Sequence, residues 1–130
     1  MKLNKNRMEK KVKRTERGWA GHFICADRCL FRRNTLLEYE NIKIVVSTVG
    51  RLFVNRRGRR EIVTVGCERY YETMAFYSDP NDTVYHDIDV ERYIELGCDW
   101  QLNEIDDNKA NNMHERAVEW VSTQIVEHKI

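Results

Sequence analysis

The last third of the chain contains the feature that most restricts the fold. Apolar side chains recur there every three or four residues, at Ala110, Met113, Ala117, Val121 and Ile125. This spacing predicts one amphipathic helix of about four or five turns. Asp106 or Asp107 is suited to cap its N-terminus, because an aspartate carboxylate accepts backbone N–H groups there. A helix with one apolar stripe has to pack on a second layer, so the preceding residues must supply that layer.

Those preceding residues are typical of β-strands. Residues 42–49 (IKIVVSTV) are dense in β-branched side chains and are followed by Gly50. Residues 51–54 and 61–65 flank an arginine-rich segment whose Asn and Gly are turn residues, which predicts a hairpin with an exposed arginine-rich tip. Further strands are predicted at residues 21–30, 35–39, 70–77 and 83–90. The sequence therefore predicts an α+β fold: an antiparallel sheet with one face covered by the C-terminal helix, formed by residues 18–130 as one domain.

The charge is unevenly distributed along the 130 residues. Residues 1–17 hold eight basic and two acidic side chains, residues 18–78 ten and six, and residues 79–130 four and thirteen, which gives +6, +4 and −9. The first segment has almost no apolar residue and is predicted to be a flexible basic arm. The acidic third repels a phosphate backbone unless it points away, so direct nucleic-acid binding is not expected. Basic and acidic surfaces of this kind also suit contact within one chain or between subunits.

Apolar runs are too short for a membrane-spanning helix, and the basic N-terminus lacks the apolar stretch of a secretory signal. We therefore expect a cytoplasmic protein with reduced cysteines and no contact with a membrane. His22, Cys25, Cys29 and Cys67 raise the question of a zinc site. On an extended strand His22 faces away from Cys25 and Cys29, and no Cys-x-x-Cys pair is present, so we expect buried free cysteines and no metal or cofactor. No catalytic motif is present either, and no enzyme activity is expected.

The arginines are the best candidates for binding. Nine of the ten basic residues in the middle segment are Arg, whose planar guanidinium matches phosphate groups bidentately. One predicted anion site combines Arg28, Arg32, Arg33 and Asn34 with Tyr71 as a surface for base stacking. On the last helix Asn112 and Arg116 lie one turn apart and face the same side. A second predicted anion site is the hairpin tip, with Arg56, Arg57, Arg59 and Arg60. The alternative interpretation is that these are ordinary sheet-surface arginines and core aromatics.

Residues 17–37 (RGWAGHFICADRCLFRRNTLL), continued by residues 42–50, resemble a set of small phage and prophage proteins. The segments GCERYYETMAF at residues 66–76 and ANNMHE at residues 110–115 resemble the same set. Within it, the chain resembles the Thoeris anti-defence sponge family, which sequesters the cyclic ADP-ribose signal made by host TIR proteins. That resemblance implies a β-sheet followed by C-terminal helices, and an oligomer with pockets between subunits.

The resemblance also implies particular residues. The family's pockets use an Asn-Met pair on a late helix together with arginines, and Asn112 and Met113 match that pair. Arg116 or Lys129 has to stand in for any arginine that the family has further along that helix. Some family members hold cyclic oligonucleotides at separate sites, for which the hairpin arginines are the candidates by charge.

Two functions from different classes follow. The leading hypothesis is a non-enzymatic phage counter-defence protein that, as a homo-oligomer, binds and sequesters a small cyclic nucleotide. Its site is predicted to comprise Arg28, Arg32, Arg33, Asn34, Tyr71, Asn112, Met113 and Arg116. The alternative is a protein-binding inhibitor of a host defence complex, similar in action to an anti-CRISPR or host-takeover factor. It would use the acidic surface of residues 79–107 to occupy a basic groove on its target.

Overall fold

The computed structural model describes residues 12–18, 21–23, 25–96 and 100–130. Seven strands, one 3-10 helix and one α-helix follow one another along the chain. They are β1 (Lys13–Arg17), the 3-10 helix (Ala26–Arg28), β2 (Cys29–Tyr39), β3 (Ile42–Arg56), β4 (Arg59–Val63), β5 (Tyr71–Ser78), β6 (Ile88–Ile94), β7 (Gln101–Leu102) and α1 (Asp107–Val126). No helix in the described ranges is long and apolar enough to cross a membrane.

The seven strands form one antiparallel sheet, and α1 packs on it, which confirms the predicted α+β fold. The order across the sheet is β1-β2-β3-β5-β6, with β4 paired to the far end of β3 and β7 paired to the start of β5. The long strand β3 is the centre of the sheet. It pairs with β2 on one side and with β5 and then β4 on the other.

The helix buries the predicted apolar stripe completely. Ala110, Met113, Ala117, Val121 and Ile125 all have no exposed surface. The helix begins where the sequence predicted, because the Asp106 carboxylate accepts the backbone N–H of Lys109 at 3.1 Å. Leu37, Ile44, Val46 and Ala75 form the sheet side of this core. The stripe and the β-branched strands therefore determine which sheet face is covered.

The opposite sheet face is covered in part by residues 21–23. A Cβ on Gly21 would lie 2.2 Å from Val49 Cγ1 and 2.7 Å from Ser47 Oγ, so only glycine permits this close approach. His22 follows, with Nδ1 2.9 Å from Ser47 Oγ and Nε2 3.0 Å from Glu72 Oε1. The hydrogen bond from His22 lowers the pKa of Glu72. Gly21 and His22, which belong to the segment of residues 17–37 that resembles phage proteins, therefore pack against the sheet.

Three predicted boundaries are corrected. Residues 13–17 form an edge strand paired with β2, although they were predicted to belong to a flexible arm; residues 1–11 of that arm lie outside the described residues. The strand predicted over 21–30 begins only at Cys29 and is preceded by the 3-10 helix. The strand predicted over 83–90 is wrong in its first half, and β6 begins at Ile88 and continues to Ile94.

The loop formed by residues 79–87 explains the last correction. The Asp82 carboxylate accepts the backbone N–H groups of Val84, Tyr85 and Asp87 at 2.9 to 3.3 Å. These bonds lower the pKa of Asp82. They also engage backbone N–H groups that would otherwise donate to a neighbouring strand. His86 also has a φ of +52°, outside the strand region. Local side-chain bonding thus overrides the alternating pattern of residues 83–90.

Candidate functional site

A groove on the exposed side of α1 is the candidate ligand site. Its volume is about 550 Å³, within the range of small-ligand pockets. We call it the helix groove, and it is lined by Leu102, Lys109, Asn112, Glu115, Arg116 and Glu119. Lys109, Asn112 and Arg116 are spaced by three and four residues, which places them on one helix face. Of the predicted site residues, Asn112 and Arg116 are therefore brought together.

Arg116 is the basic residue of this groove that best fits anion binding. Its guanidinium lies over the Trp100 ring, 5.7 Å from the ring centroid. No ion pair to Arg116 is found in the described part of the chain. Lys109, by contrast, forms a 2.7 Å ion pair with Glu104. Neither Lys109 nor Trp100 was predicted from the sequence, although the three-residue spacing between Lys109 and Asn112 indicates that they share a helix face.

Arg33 lies beside the helix groove but is already bound to carboxylates. Its Nη2 is 2.7 Å from Glu16 Oε1, and its Nη1 is 2.9 Å from Glu115 Oε1. Arg14 binds the same Glu115 carboxylate through two contacts of 2.6 Å. The hydrogen bonds from Arg14 and then Arg33 lower the pKa of Glu115 to about 2. Arg33 is thus part of an ion-pair network, and its role as a phosphate ligand stays a prediction.

Three other predicted site residues, Tyr71, Met113 and Asn34, are in the interior. Tyr71 has no exposed surface, donates to Asp107 Oδ1 at 2.6 Å and packs edge-on against Phe31. Burial and that hydrogen bond raise the pKa of Tyr71. Met113 is fully buried in the same cluster. Neither side chain has a face available to a ligand of this chain, so their assignment to the site is corrected.

Asn34 is also fully buried, so its predicted role as a ligand residue is corrected as well. Its Oδ1 accepts from Arg17 Nε at 2.8 Å, and its Nδ2 donates to no acceptor among the described residues. Arg32 is exposed on the sheet face opposite Arg33, because neighbouring strand residues alternate. Arg28 is exposed beyond the start of β2 and donates to Cys25 Sγ at 2.9 Å. The first predicted anion site is therefore divided between two faces of the sheet.

The hairpin tip is formed as predicted. Arg57 and Gly58 have φ values of +51° and +76°, which a two-residue type I′ turn requires at both central positions. Arg56 and Arg59 lie directly opposite each other across the ribbon, and Arg56 Nε is 3.4 Å from Glu61 Oε2. Arg60 lies over the Phe53 ring at 4.1 Å. The four predicted arginines of the second anion site are thus grouped on one exposed hairpin.

The residues considered for zinc do not converge. Both His22 ring nitrogens are engaged by Ser47 and Glu72, Cys29 is buried and Cys67 is exposed. Burial raises the pKa of the Cys29 thiol to about 11, which keeps it protonated. Within the described ranges, no three His, Cys, Asp or Glu side chains are arranged to hold a metal ion.

A chain of polar groups crosses the helix–sheet core at His114, which sequence analysis did not single out. His114 is fully buried, with Nδ1 2.7 Å from Thr48 Oγ1 and Nε2 2.7 Å from Thr35 Oγ1. The Thr35 hydroxyl donates to the Glu16 carboxylate, so it must accept from His114, whose proton therefore resides on Nε2. Thr48 then donates to Nδ1 and accepts from Thr73 at 2.6 Å.

This chain of hydrogen bonds fixes His114 as the neutral form. Burial, together with a smaller effect of the positive charge of Arg33, lowers the pKa of His114 to about 3. Every polar atom of the imidazole is paired, as a buried polar group requires. The arrangement orients α1 on the sheet, and α1 in turn carries Asn112 and Arg116.

No model of a known protein family, no curated protein and no solved structure matches this chain. A function has to be inferred from the helix groove, the arginine-rich hairpin and the acidic loop of residues 79–87.

Proposed function

We propose that the protein binds a small cyclic nucleotide in the helix groove and sequesters it without chemical change. The single observation that carries the proposal is the grouping of Asn112 and Arg116 in a groove of nucleotide size. An arginine with no carboxylate partner among the described residues is suited to a phosphate, and an exposed amide is suited to a ribose hydroxyl or a base edge.

The electrostatics of the groove support this assignment. Glu115 lines the groove, but two arginines neutralise its carboxylate. The positive charges of Arg14 and Arg33 compensate the Glu115 carboxylate, and for this reason the pKa of Glu115 is low. An anion entering next to Arg116 therefore meets a smaller repulsion than the number of acidic residues suggests. Each arginine–phosphate hydrogen bond is worth about 1.5–3 kcal/mol net.

The biological role proposed for this binding is phage counter-defence against a cyclic nucleotide immune signal, in a host cytoplasm and as a homo-oligomer. It rests on the resemblance of residues 17–37 and 110–115 to the Thoeris anti-defence sponge family. Met113 is buried within one chain, so the match to that family's pocket is carried by Asn112. Arg116 takes the arginine role, because its guanidinium faces the groove.

Replacing Arg116 with Gln tests this site. We expect affinity for the bound cyclic nucleotide to fall tenfold or more, equivalent to about 1.4 kcal/mol or more, because the phosphate loses its arginine. The matched control is Arg92→Gln, since Arg92 is also exposed and lies over an aromatic ring, that of Tyr77 at 4.8 Å. Isothermal titration with cyclic ADP-ribose isomers and cyclic di- and trinucleotides measures both variants. Equal affinity of R116Q and the wild type would remove Arg116 from the site.

A second candidate function is favoured by the acidic loop and the start of β6. Val84, Tyr85 and Val90 are 74%, 64% and 65% exposed beside Asp79, Asp82, Asp87 and Asp89. Exposed apolar side chains among carboxylates suit a protein-binding surface with a basic target. Such binding should weaken steeply with added salt and should be lost in a Val84→Ser, Tyr85→Ser variant that still retains nucleotide. If the variant loses nucleotide binding together with protein binding, then the acidic loop and the helix groove are not separate binding surfaces.

A further inference from the structure

The arginine-rich hairpin extends beyond the rest of the sheet. Pairing of β3 with β2 ends at Leu52, and pairing of β3 with β5 ends at Gly50. From Phe53 onward β3 pairs only with β4, and β4 has no second neighbour among the described strands. We call this projecting two-stranded element, residues 53–62, the arginine ribbon. Its two outer edges are unpaired in the described part of the chain.

The arginines are placed on both faces of this ribbon and at its turn. Residues that pair across the strands share a face, so Arg56 and Arg59 lie on one face and Asn55 and Arg60 on the other. Arg57 occupies the turn. The ribbon contains one carboxylate, that of Glu61, and it is paired with Arg56. The Arg56 side chain is still 69% exposed in that pair. Two like charges directly opposite each other destabilise a hairpin, and an anion bound against Arg56 and Arg59 would offset that cost.

The acidic loop, residues 79–87, lies at the other end of the sheet. It follows β5, whose last paired residues lie opposite the start of β3, with Tyr77 against Ile44. From Ile44 to Arg56 the strand extends roughly 40 Å at about 3.3 Å per residue. The screening length at physiological salt is about 8 Å, so the loop does not oppose an anion at the ribbon. The carboxylates of Glu104 and Asp107 are paired with Lys109 and Arg51.

We propose that the arginine ribbon is a binding arm for duplex DNA that enters the major groove. A B-form major groove is about 12 Å wide and admits a two-stranded β-ribbon. Arg56, Arg57 and Arg59 contact phosphates on the groove walls. Arg60 and Asn55, on the other face, are the residue types that read guanine and adenine edges. No nucleic-acid binding was expected from the sequence, because the acidic third repels phosphates unless it points away. The fold places the acidic loop at the opposite end of the sheet from the ribbon, so this repulsion is reduced there.

The test is binding of a short fluorescein-labelled DNA duplex, followed by anisotropy over a range of salt. The variant Arg56→Gln, Arg57→Gln, Arg59→Gln is compared with the control Lys13→Gln, Lys43→Gln, Lys129→Gln, which removes the same charge elsewhere. We expect the arginine variant to bind at least tenfold more weakly. Its slope of log K against log salt should be shallower by about 2.7, since each lost phosphate contact contributes about 0.9. The control should change neither value beyond the general charge effect.

Several outcomes overturn the proposal. They are no binding by the wild type at about 50 mM salt, equal loss in the arginine variant and the control, or duplex RNA bound as tightly as duplex DNA. The last would exclude insertion into the major groove, because the A-form major groove is deep and narrow. Displacement of DNA by poly-L-glutamate at equal charge concentration would indicate an acidic protein partner instead. The single variant Arg57→Glu, at an exposed turn, keeps the test valid if the triple variant is unstable.

Discussion

The wild-type protein is expected to lose about 3 kcal/mol of folding stability between pH 7.5 and pH 4 through His114 alone. The folded state binds a proton on this imidazole only near pH 3, whereas the unfolded chain binds one near pH 6.5. As the pH falls below 6.5, protons therefore favour the unfolded chain, and this loss continues until the folded pKa is reached. Each pH unit within this window contributes about 1.36 kcal/mol.

Urea denaturation at several pH values measures the effect, and His114→Gln isolates it. Gln keeps one donor and one acceptor for Thr35 and Thr48 and does not titrate. We expect H114Q to be less stable than the wild type at pH 7.5, and the two stability curves to converge as the pH falls to 4. The control is His128→Gln, at an exposed position after α1. Parallel curves for the wild type and H114Q would contradict the buried neutral imidazole.

The second large effect is expected for Gly50→Ala. A Cβ at this position would lie 2.2 Å from Tyr71 Cδ2 and 2.6 Å from the Tyr70 carbonyl oxygen. The second of these atoms is backbone and also accepts from the Arg51 N–H at 3.1 Å, so it cannot move aside. Tyr71 is fully buried and tied to Asp107. We expect a loss of about 3 kcal/mol, with a Tm lower by about 10 °C.

Gly18→Ala is the matched control for this substitution. A Cβ at Gly18 meets no described atom within 4 Å, and we expect a change within about 0.5 kcal/mol. Thermal unfolding followed by circular dichroism gives both values. If G50A is as stable as G18A, then β3 and β5 do not approach each other as closely as the structure places them.

The layers of this fold were predictable because they depend on local periodicity. The apolar stripe of α1 has the period of a helix, and the arginine-rich turn between β3 and β4 contains Asn55 and Gly58, which are residue types that favour turns. The strand β1 was not predictable, because KRTER contains no apolar residue. It is held by backbone pairing with β2 and by the contact of Arg14 with Glu115, which is 101 residues away in sequence.

The candidate site was predictable only where its residues are close in sequence. Asn112 and Arg116 are one helical turn apart, and both line the helix groove. Arg33 and Tyr71 were assigned to the site from residue type alone. Their partners, Glu16, Glu115 and Asp107, come from distant parts of the chain, and no local pattern indicates these contacts. A residue's type shows what it can bind, whereas its availability depends on tertiary neighbours.

The most direct test of the proposed function is ligand retention. Purified protein is incubated with cyclic ADP-ribose isomers and with cyclic di- and trinucleotides, unbound ligand is removed, the protein is heat-denatured, and the released compound is identified by chromatography. Sequestration in the helix groove predicts that one of these nucleotides is retained, that it returns intact after heating, and that Arg116→Gln retains less of it. A nucleotide that returns degraded, or a protein that retains none, would contradict the proposal.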